Sequence, residues 1–288
     1  MKRLLLLWLW LCLTPLPYAL AIDPGTAQGS LQINQETIAL THSYAQRHDN
    51  AEGLLDRPKE LRIVITDREI SQDSLRGIVF LPVEQMAKEG RVRGLMVRLD
   101  PNDHHNLLVT LLFPPSTPGA SLINQTLSTS GQEAPIDLKI SDNRVTGEIR
   151  HGEDPESGFT DMPKLTYAVK FSAPLFHELP VTADLKGKAA QTSPQAAVLR
   201  EKARILAKGD FEGLKRISTD RAYQAMQAFL AQAGPEAKSF VKEAAADMEQ
   251  SIKRIQRVVV RGDRAVVIFG QKQWSNFVRE GGEWKSDN

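Results

Sequence analysis

The side chains best suited to chemistry are six histidines: His42, His48, His104, His105, His151 and His177. None lies in the last third of the chain. The densest group of metal-ligating types is Asp103-His104-His105, with Asp100 close by. A tetrahedral metal site needs three or four such groups converging from one side. Neighbours on a strand point to opposite faces, and Pro101-Asn102-Asp103 has turn composition. The metal reading of Asp103, His104 and His105 therefore stands against that of a polar turn between strands. His42 shares a strand face with Tyr44 and reads as a packed, hydrogen-bonded structural residue. No serine sits in a Gly-flanked nucleophile motif, and no Gly-rich loop opens a helix in a phosphate-binding pattern. The carboxylates of the C-terminal region have structural explanations: Asp210 as a helix cap, Glu201 on a polar helix face, Asp263 and Glu283 in turns. No catalytic residue and no cofactor is expected.

Aromatics offer a different possibility. Phe211, Phe229, Phe240, Phe269, Trp274 and Trp284 cluster in the C-terminal region. Aromatic walls suit an apolar ligand, and these six are the candidate pocket residues. The same side chains could equally fill the core of a small domain.

Residues 1–21 have the three parts of a secretory leader. Lys2 and Arg3 are basic, Leu4 to Leu13 is apolar, and Ala19-Leu20-Ala21 supplies a cleavage site before Ile22. The apolar run is about 10 residues, against roughly 20 needed to span a bilayer. Cleavage leaves 267 of the 288 residues and removes Cys12, the single cysteine. Disulfides, thiol nucleophiles and thiolate metal sites are thereby excluded. Lys+Arg falls from 36 to 34 against 35 Asp+Glu, which gives no electrostatic case for nucleic acid. No other stretch is long and apolar enough for a membrane span. A soluble, disulfide-free product fits the bacterial periplasm or cell surface.

The elements that must position these residues fall into two regions. Residues 22–185 read as mainly β. Leu165, Tyr167, Val169 and Phe171 form the clearest period-2 run, and strands recur about every 10 residues with turn chemistry between them. A sandwich or barrel-like domain is expected, with one short helix over Pro82–Lys88. Residues 186–194 are small and polar and read as a linker. From 195 to 288 the pattern is helical, then stranded. Ser193 and Pro194 can start a helix and Gly209 can end it. Phe240, Ala244, Met248 and Ile252 mark a long helix. Gly262-Asp263 and Gly281-Gly282 are hairpin turns. The fold class expected is α+β throughout.

The stretch Ser193–Trp284 resembles the nuclear transport factor 2-like, cone-shaped α+β superfamily of bacterial exported proteins. The resemblance is carried by Lys208-Gly209-Asp210, by Arg261-Gly262-Asp263-Arg264-Ala265 and by Glu280-Gly281-Gly282-Glu283-Trp284-Lys285. It implies a curved sheet against helices with an apolar cavity between them. The N-terminal region is similar, more loosely, to uncharacterised bacterial exported β-domains, through Leu40-Thr41-His42-Ser43-Tyr44-Ala45 and Leu61–Asp67. The expected function is a non-catalytic binding or accessory role toward a protein partner. A carrier or sensor of a small apolar ligand is the alternative, and an enzyme the second alternative.

Overall fold

The computed structural model describes residues 25–77, 81–116, 120–128, 136–152, 164–234, 237–270 and 273–287. The expected leader, 1–21, lies outside them. Among the described residues the chain is mixed α+β, with two antiparallel sheets, and it divides into two compact units.

The first unit takes Met1–Gln46, Leu61–Leu75 and Pro82–Phe176. Its strands are β1 (Thr26–Ile33), β2 (Glu36–His48), β3 (Glu60–Thr66), β4 (Gly94–Asp100), β5 (Asp103–Leu112), β6 (Asn124–Ser128), β7 (Ile136–Ile140), β8 (Arg144–His151) and β9 (Leu165–His177). All nine join one curled sheet, a half-barrel, in the order β6-β5-β4-β3-β2-β1-β9-β8-β7. Alternation explains the curl's packed face. Leu165, Tyr167, Val169, Phe171 and Ala173 of β9 are buried together, opposite Ile33, Leu31, Gly29 and Ala27 of β1. Gly29 is required there, because a Cβ would stand 2.1 Å from the Ala168 carbonyl oxygen.

Every residue of β3 is buried, so both faces of the sheet are covered at that strand. Leu61, Ile63 and Ile65 join the main core. Helix α1 (Pro82–Lys88) has the expected bounds and buries Val83 and Ala87. Its Glu84 pairs with Arg98 of β4 at 3.2 Å.

The second unit is assembled from Arg47–Glu60, Arg76–Leu81 and His177–Asn288. Its regular elements are β10 (Ala183–Lys186), α2 (Gly187–Gln191), α3 (Pro194–Lys208), α4 (Leu214–Ile217), α5 (Asp220–Ala233), α6 (Ala237–Lys253), β11 (Arg257–Arg261), β12 (Arg264–Gly270), β13 (Gln273–Glu280) and β14 (Glu283–Ser286). The strands form a five-stranded antiparallel meander in chain order. One face, with Val258, Val260, Val267, Phe269, Phe277 and Trp284, packs on Ala190, Ala196 and Leu199 from the helices. The opposite face, with Val259, Val266 and Ile268, packs on Leu54.

Two expectations need correction. The stretch 186–194 is structured: it ends β10, forms α2 and caps α3, and Ala190 is fully buried. Its two alanines have the strongest helix propensity, and Ala190 fits against the sheet without a polar group to satisfy. The inner stripe of α6 is the expected one in its second half, where Met248 and Ile252 pack against the core, but not in its first half. Ala237, Val241 and Ala245 are buried, whereas Phe240 is 49% exposed. The buried spacing of four residues follows the helical repeat. In the first half of α6 Ala237 and Val241 thus face inward and the large ring of Phe240 outward.

Capping is as the sequence implies. Ser193 accepts a hydrogen bond from the Ala196 N–H at 3.2 Å. Gly209 closes α3 in the left-handed region with φ 69°. The Arg261–Arg264 hairpin turns on Gly262 at φ 59°, a conformation glycine adopts without cost.

Candidate binding site

Helix α3 buries Gln195, Leu199, Lys202 and Leu206, a 4-3-4 spacing that makes a single stripe. Lys202 therefore sits where a hydrophobic residue would normally stand. It is 7% exposed. Its ammonium donates to the Ser286 hydroxyl at 2.9 Å. Burial alone pushes the Lys202 pKa down, to about 8.

The strand β14 fixes the acceptor. Ser286 is fully buried and bridges to Ser218, just after α4. Thr219 then donates its N–H to the Ser286 carbonyl at 2.9 Å and caps α5 by accepting from the Ala222 N–H at 3.2 Å. Its hydroxyl also donates to Asp287 at 2.7 Å, and Arg221 pairs with Asp287 at 2.7 Å. The start of α5 is thus tied to the last strand beside Lys202.

Between these elements lies a cavity of about 230 Å³. Leu214, Ala222, Ala225, Met226 and Phe229 give it apolar walls. Lys202, Ser218 and Tyr223 supply its polar groups. No side chain of α5 is fully buried, so the wall that α5 provides is loosely packed. Ligand sites for drug-sized molecules run about 300–1,000 Å³. This cavity suits something smaller, with one polar end directed to Lys202.

The six aromatics expected to line a pocket do not share one. Phe229 alone borders the cavity. It meets Phe240 edge to face, 6.4 Å between centroids, on the exposed side of α5 and α6. Phe269 and Trp284 are core residues between sheet and helices. The Arg279 guanidinium lies 4.5 Å from the Trp284 ring centre. Trp274 packs on the opposite face beside Leu54, and Phe211 belongs to the helical cluster around Leu206.

The expected metal candidates do not assemble either. Asp103 and His104 begin β5, and His104 Nε2 contacts the Pro101 carbonyl at 3.2 Å. For His105 only the backbone position in β5 is described. Among the described residues, the group with ligand spacing is His48, Asp49 and Glu52, whose donor atoms lie within 4.8 Å of one another. Arg261, at the end of β11, already occupies it. The guanidinium donates to Glu52 at 2.7 Å, to Asp49, and to the Leu179 carbonyl at 2.7 Å. His48 accepts the Asn50 N–H at Nδ1, 2.8 Å, and turns Nε2 to Glu178 at 3.3 Å.

The electrostatics follow from that arrangement. Burial works against the Arg261 charge, but Glu52 and Asp49 outweigh it and raise its pKa. Burial likewise pushes the Asp49 carboxyl up, and hydrogen bonds from Arg261 and the Ala51 N–H more than reverse this. A cation would have to displace a guanidinium from the same oxygens. The cluster works as an ion-pair clamp on residues 47–60. Asn50 organises that segment: its side chain bonds the Leu54 and Leu55 N–H groups and the Leu55 and Arg57 carbonyls.

An open groove of about 480 Å³ runs between α3 and α6. Arg200, Arg204, Lys208 and Lys253 border it, with Ala203, Ala207 and Ile252 also on its lining.

No protein-family model, curated protein or solved structure matches the chain. No helix among the described residues is long and apolar enough to cross a membrane.

Proposed function

We propose that this is an exported, non-catalytic binding protein whose second unit holds a small, largely apolar molecule. The observation that carries the reading is Lys202, a nearly buried ammonium opening onto an apolar-walled cavity. Burying an ammonium is costly. A stable core would use leucine at that point of the stripe. A cavity with one polar corner and flexible apolar walls gives the lysine a use: it fixes the polar end of a guest while α5 closes on the rest. The order of helices then antiparallel strands supports the cone-like reading of this unit. Export rests on the leader pattern of residues 1–21.

Saturation-transfer NMR with short alcohols, amides and aromatic fragments tests the pocket. Binding is expected for fragments of about six to ten heavy atoms, and Ala222→Phe should abolish it by filling the cavity. Failure of the whole panel at millimolar concentration removes the reading. N-terminal sequencing of envelope protein tests export: Ile22 is expected first, and a chain retaining Met1 would overturn it.

The basic groove between α3 and α6 favours a second reading, an acidic protein partner docked there. Four cationic side chains and one carboxylate, Glu249, line it. Salt-sensitive capture that survives Lys208→Glu plus Lys253→Glu would remove this reading.

A further inference from the structure

The inner face of the curled sheet in the first unit carries a polar spot that its own side chains leave unsatisfied. Gln125 of β6 faces inward, opposite Val109 in β5. His151 of β8 faces inward, opposite Tyr167 in β9. The Gln125 amide meets His151 Nε2 at 2.9 Å, and the imidazole lies 5.4 Å from the Tyr167 ring, centre to centre. In the sheet order β6 stands first and β8 eighth, so the curl brings an edge strand across to the far side at this point. Two polar atoms there are shut from solvent without a hydrogen-bond partner among the described residues: the Tyr167 hydroxyl and Gln125 Oε1. Turning the amide over only exchanges which of its halves is left over. A buried polar group without a partner is costly, and phenylalanine would fill the place of Tyr167 without that cost. Tyr167 is 3% exposed. Burial pushes its phenol above the usual range, so the hydroxyl keeps its proton and can donate.

We propose that this spot receives the hydroxyl group of a neutral aliphatic amphiphile, whose chain lies on the inner surface of the edge strands β6 and β7. Ile123 and Leu127, two positions either side of Gln125, and Leu138 and Ile140 of β7 pack against the core yet stay only half-buried. They offer apolar surface to a guest. A hydroxyl both accepts and donates. It can accept from Tyr167 and bond the Gln125 amide in either orientation. A carboxylate cannot donate, and no lysine or arginine of these strands stands at an inward position. Their charged residues, Asp137, Lys139, Arg144, Glu148, Arg150 and Lys170, alternate with the inward ones. On that outer side Glu148 pairs with Arg150 at 2.7 Å and with Lys170 at 3.9 Å. Burying an ionised head at Tyr167 would therefore go uncompensated. All of these residues belong to the first unit, so the site is separate from the cavity beside Lys202.

The test titrates the full chain with octanol, followed by saturation-transfer NMR. Its isomer methyl heptyl ether, which accepts but cannot donate, and octanoate, which is ionised at neutral pH, serve as comparators. The titrations are run on the parent and on Ala222→Phe, whose second-unit cavity is filled. Octanol should bind both chains, and more tightly than either comparator. Adding Tyr167→Phe to Ala222→Phe should weaken octanol binding about fivefold, the effect of one neutral hydrogen bond. In the ligand-free chain Tyr167→Phe should keep or raise the urea midpoint read by circular dichroism, because it deletes a group without a partner. A lower midpoint would show the hydroxyl already satisfied and overturn the proposal. Octanol binding to Ala222→Phe that Tyr167→Phe leaves unchanged overturns it too. Binding that disappears in Ala222→Phe alone belongs to the second unit, which overturns the first-unit site and leaves the cavity reading standing. No binding to either chain removes the first-unit site outright.

Discussion

Replacing Lys202 by Met keeps the length of the side chain and removes its charge. Lowering a lysine from 10.5 to about 8 corresponds to about 3 kcal/mol of penalty on the charged form. The variant also loses the bond to Ser286, and a hydrogen bond to a charged group is worth about 1.5–3 kcal/mol. At neutral pH these effects nearly offset, so stability at one pH does not discriminate. The pH dependence does. Below pH 8 both folded and unfolded chains carry the charge, and the penalty is fully present. Between about 8 and 10.5 the folded chain has released a proton that the unfolded chain still holds. Stability therefore rises with pH across that window. From pH 7.5 to 10 the parent should gain about 2 kcal/mol relative to Lys202→Met. Urea unfolding followed by tryptophan fluorescence reads the right unit, since a chain beginning at Ile22 carries only Trp274 and Trp284. If parent and variant keep a constant difference over that range, the ammonium is not confined as described.

Arg261→Met should cost about 3–5 kcal/mol, because Glu52 is left as an uncompensated buried charge; a shift below about 1 kcal/mol in urea would contradict the clamp. Asp49 has a lowered folded pKa, so its contribution is present above its unfolded pKa of about 4 and disappears as pH falls through the folded value. Asp49→Asn should accordingly flatten the acid limb of the stability curve below about pH 4, and an unchanged limb would contradict the pairing. Asn50→Ala should release residues 47–60, and tryptic cleavage after Lys59 should accelerate about tenfold if roughly 1.4 kcal/mol of local stability is lost. Unchanged cleavage would show that Asn50 does not hold the segment.

Much of the fold is local, and what is local can be read in advance. The alternation in β9, the caps Ser193 and Gly209, the bounds of α1 and the turn at Gly262 each depend on a few neighbouring residues. Lys202 gave no such signal, because a lysine on a helix ordinarily marks its solvated face, and the aromatic residues looked the better pocket markers. The aromatics were misleading because a ring satisfies a core and a cavity equally well. The strand register places Phe269 and Trp284 on one side of the sheet and Trp274 in contact with the other. His48, Asp49 and Glu52 carried no legible signal. They lie in a polar stretch without periodicity, and their partner Arg261 is 209 positions beyond Glu52.

That separation has a consequence for how the protein is made. Ribosomes add about 5–20 residues per second. Glu52 therefore emerges about 10–40 seconds before Arg261 exists. Throughout that interval Leu54 has no sheet to cover, and the carboxylates of Asp49 and Glu52 remain in water. Closing so long a loop carries an entropic cost that short-range contacts avoid. The sheet of the second unit can grow from consecutive hairpins over β11–β14 as soon as they are synthesised, with β10, made before the helices, pairing onto β11. Its outer face is completed only when a segment translated much earlier docks onto it. Polar, Asn50-nucleated and short, residues 47–60 have the composition to wait in solution without aggregating.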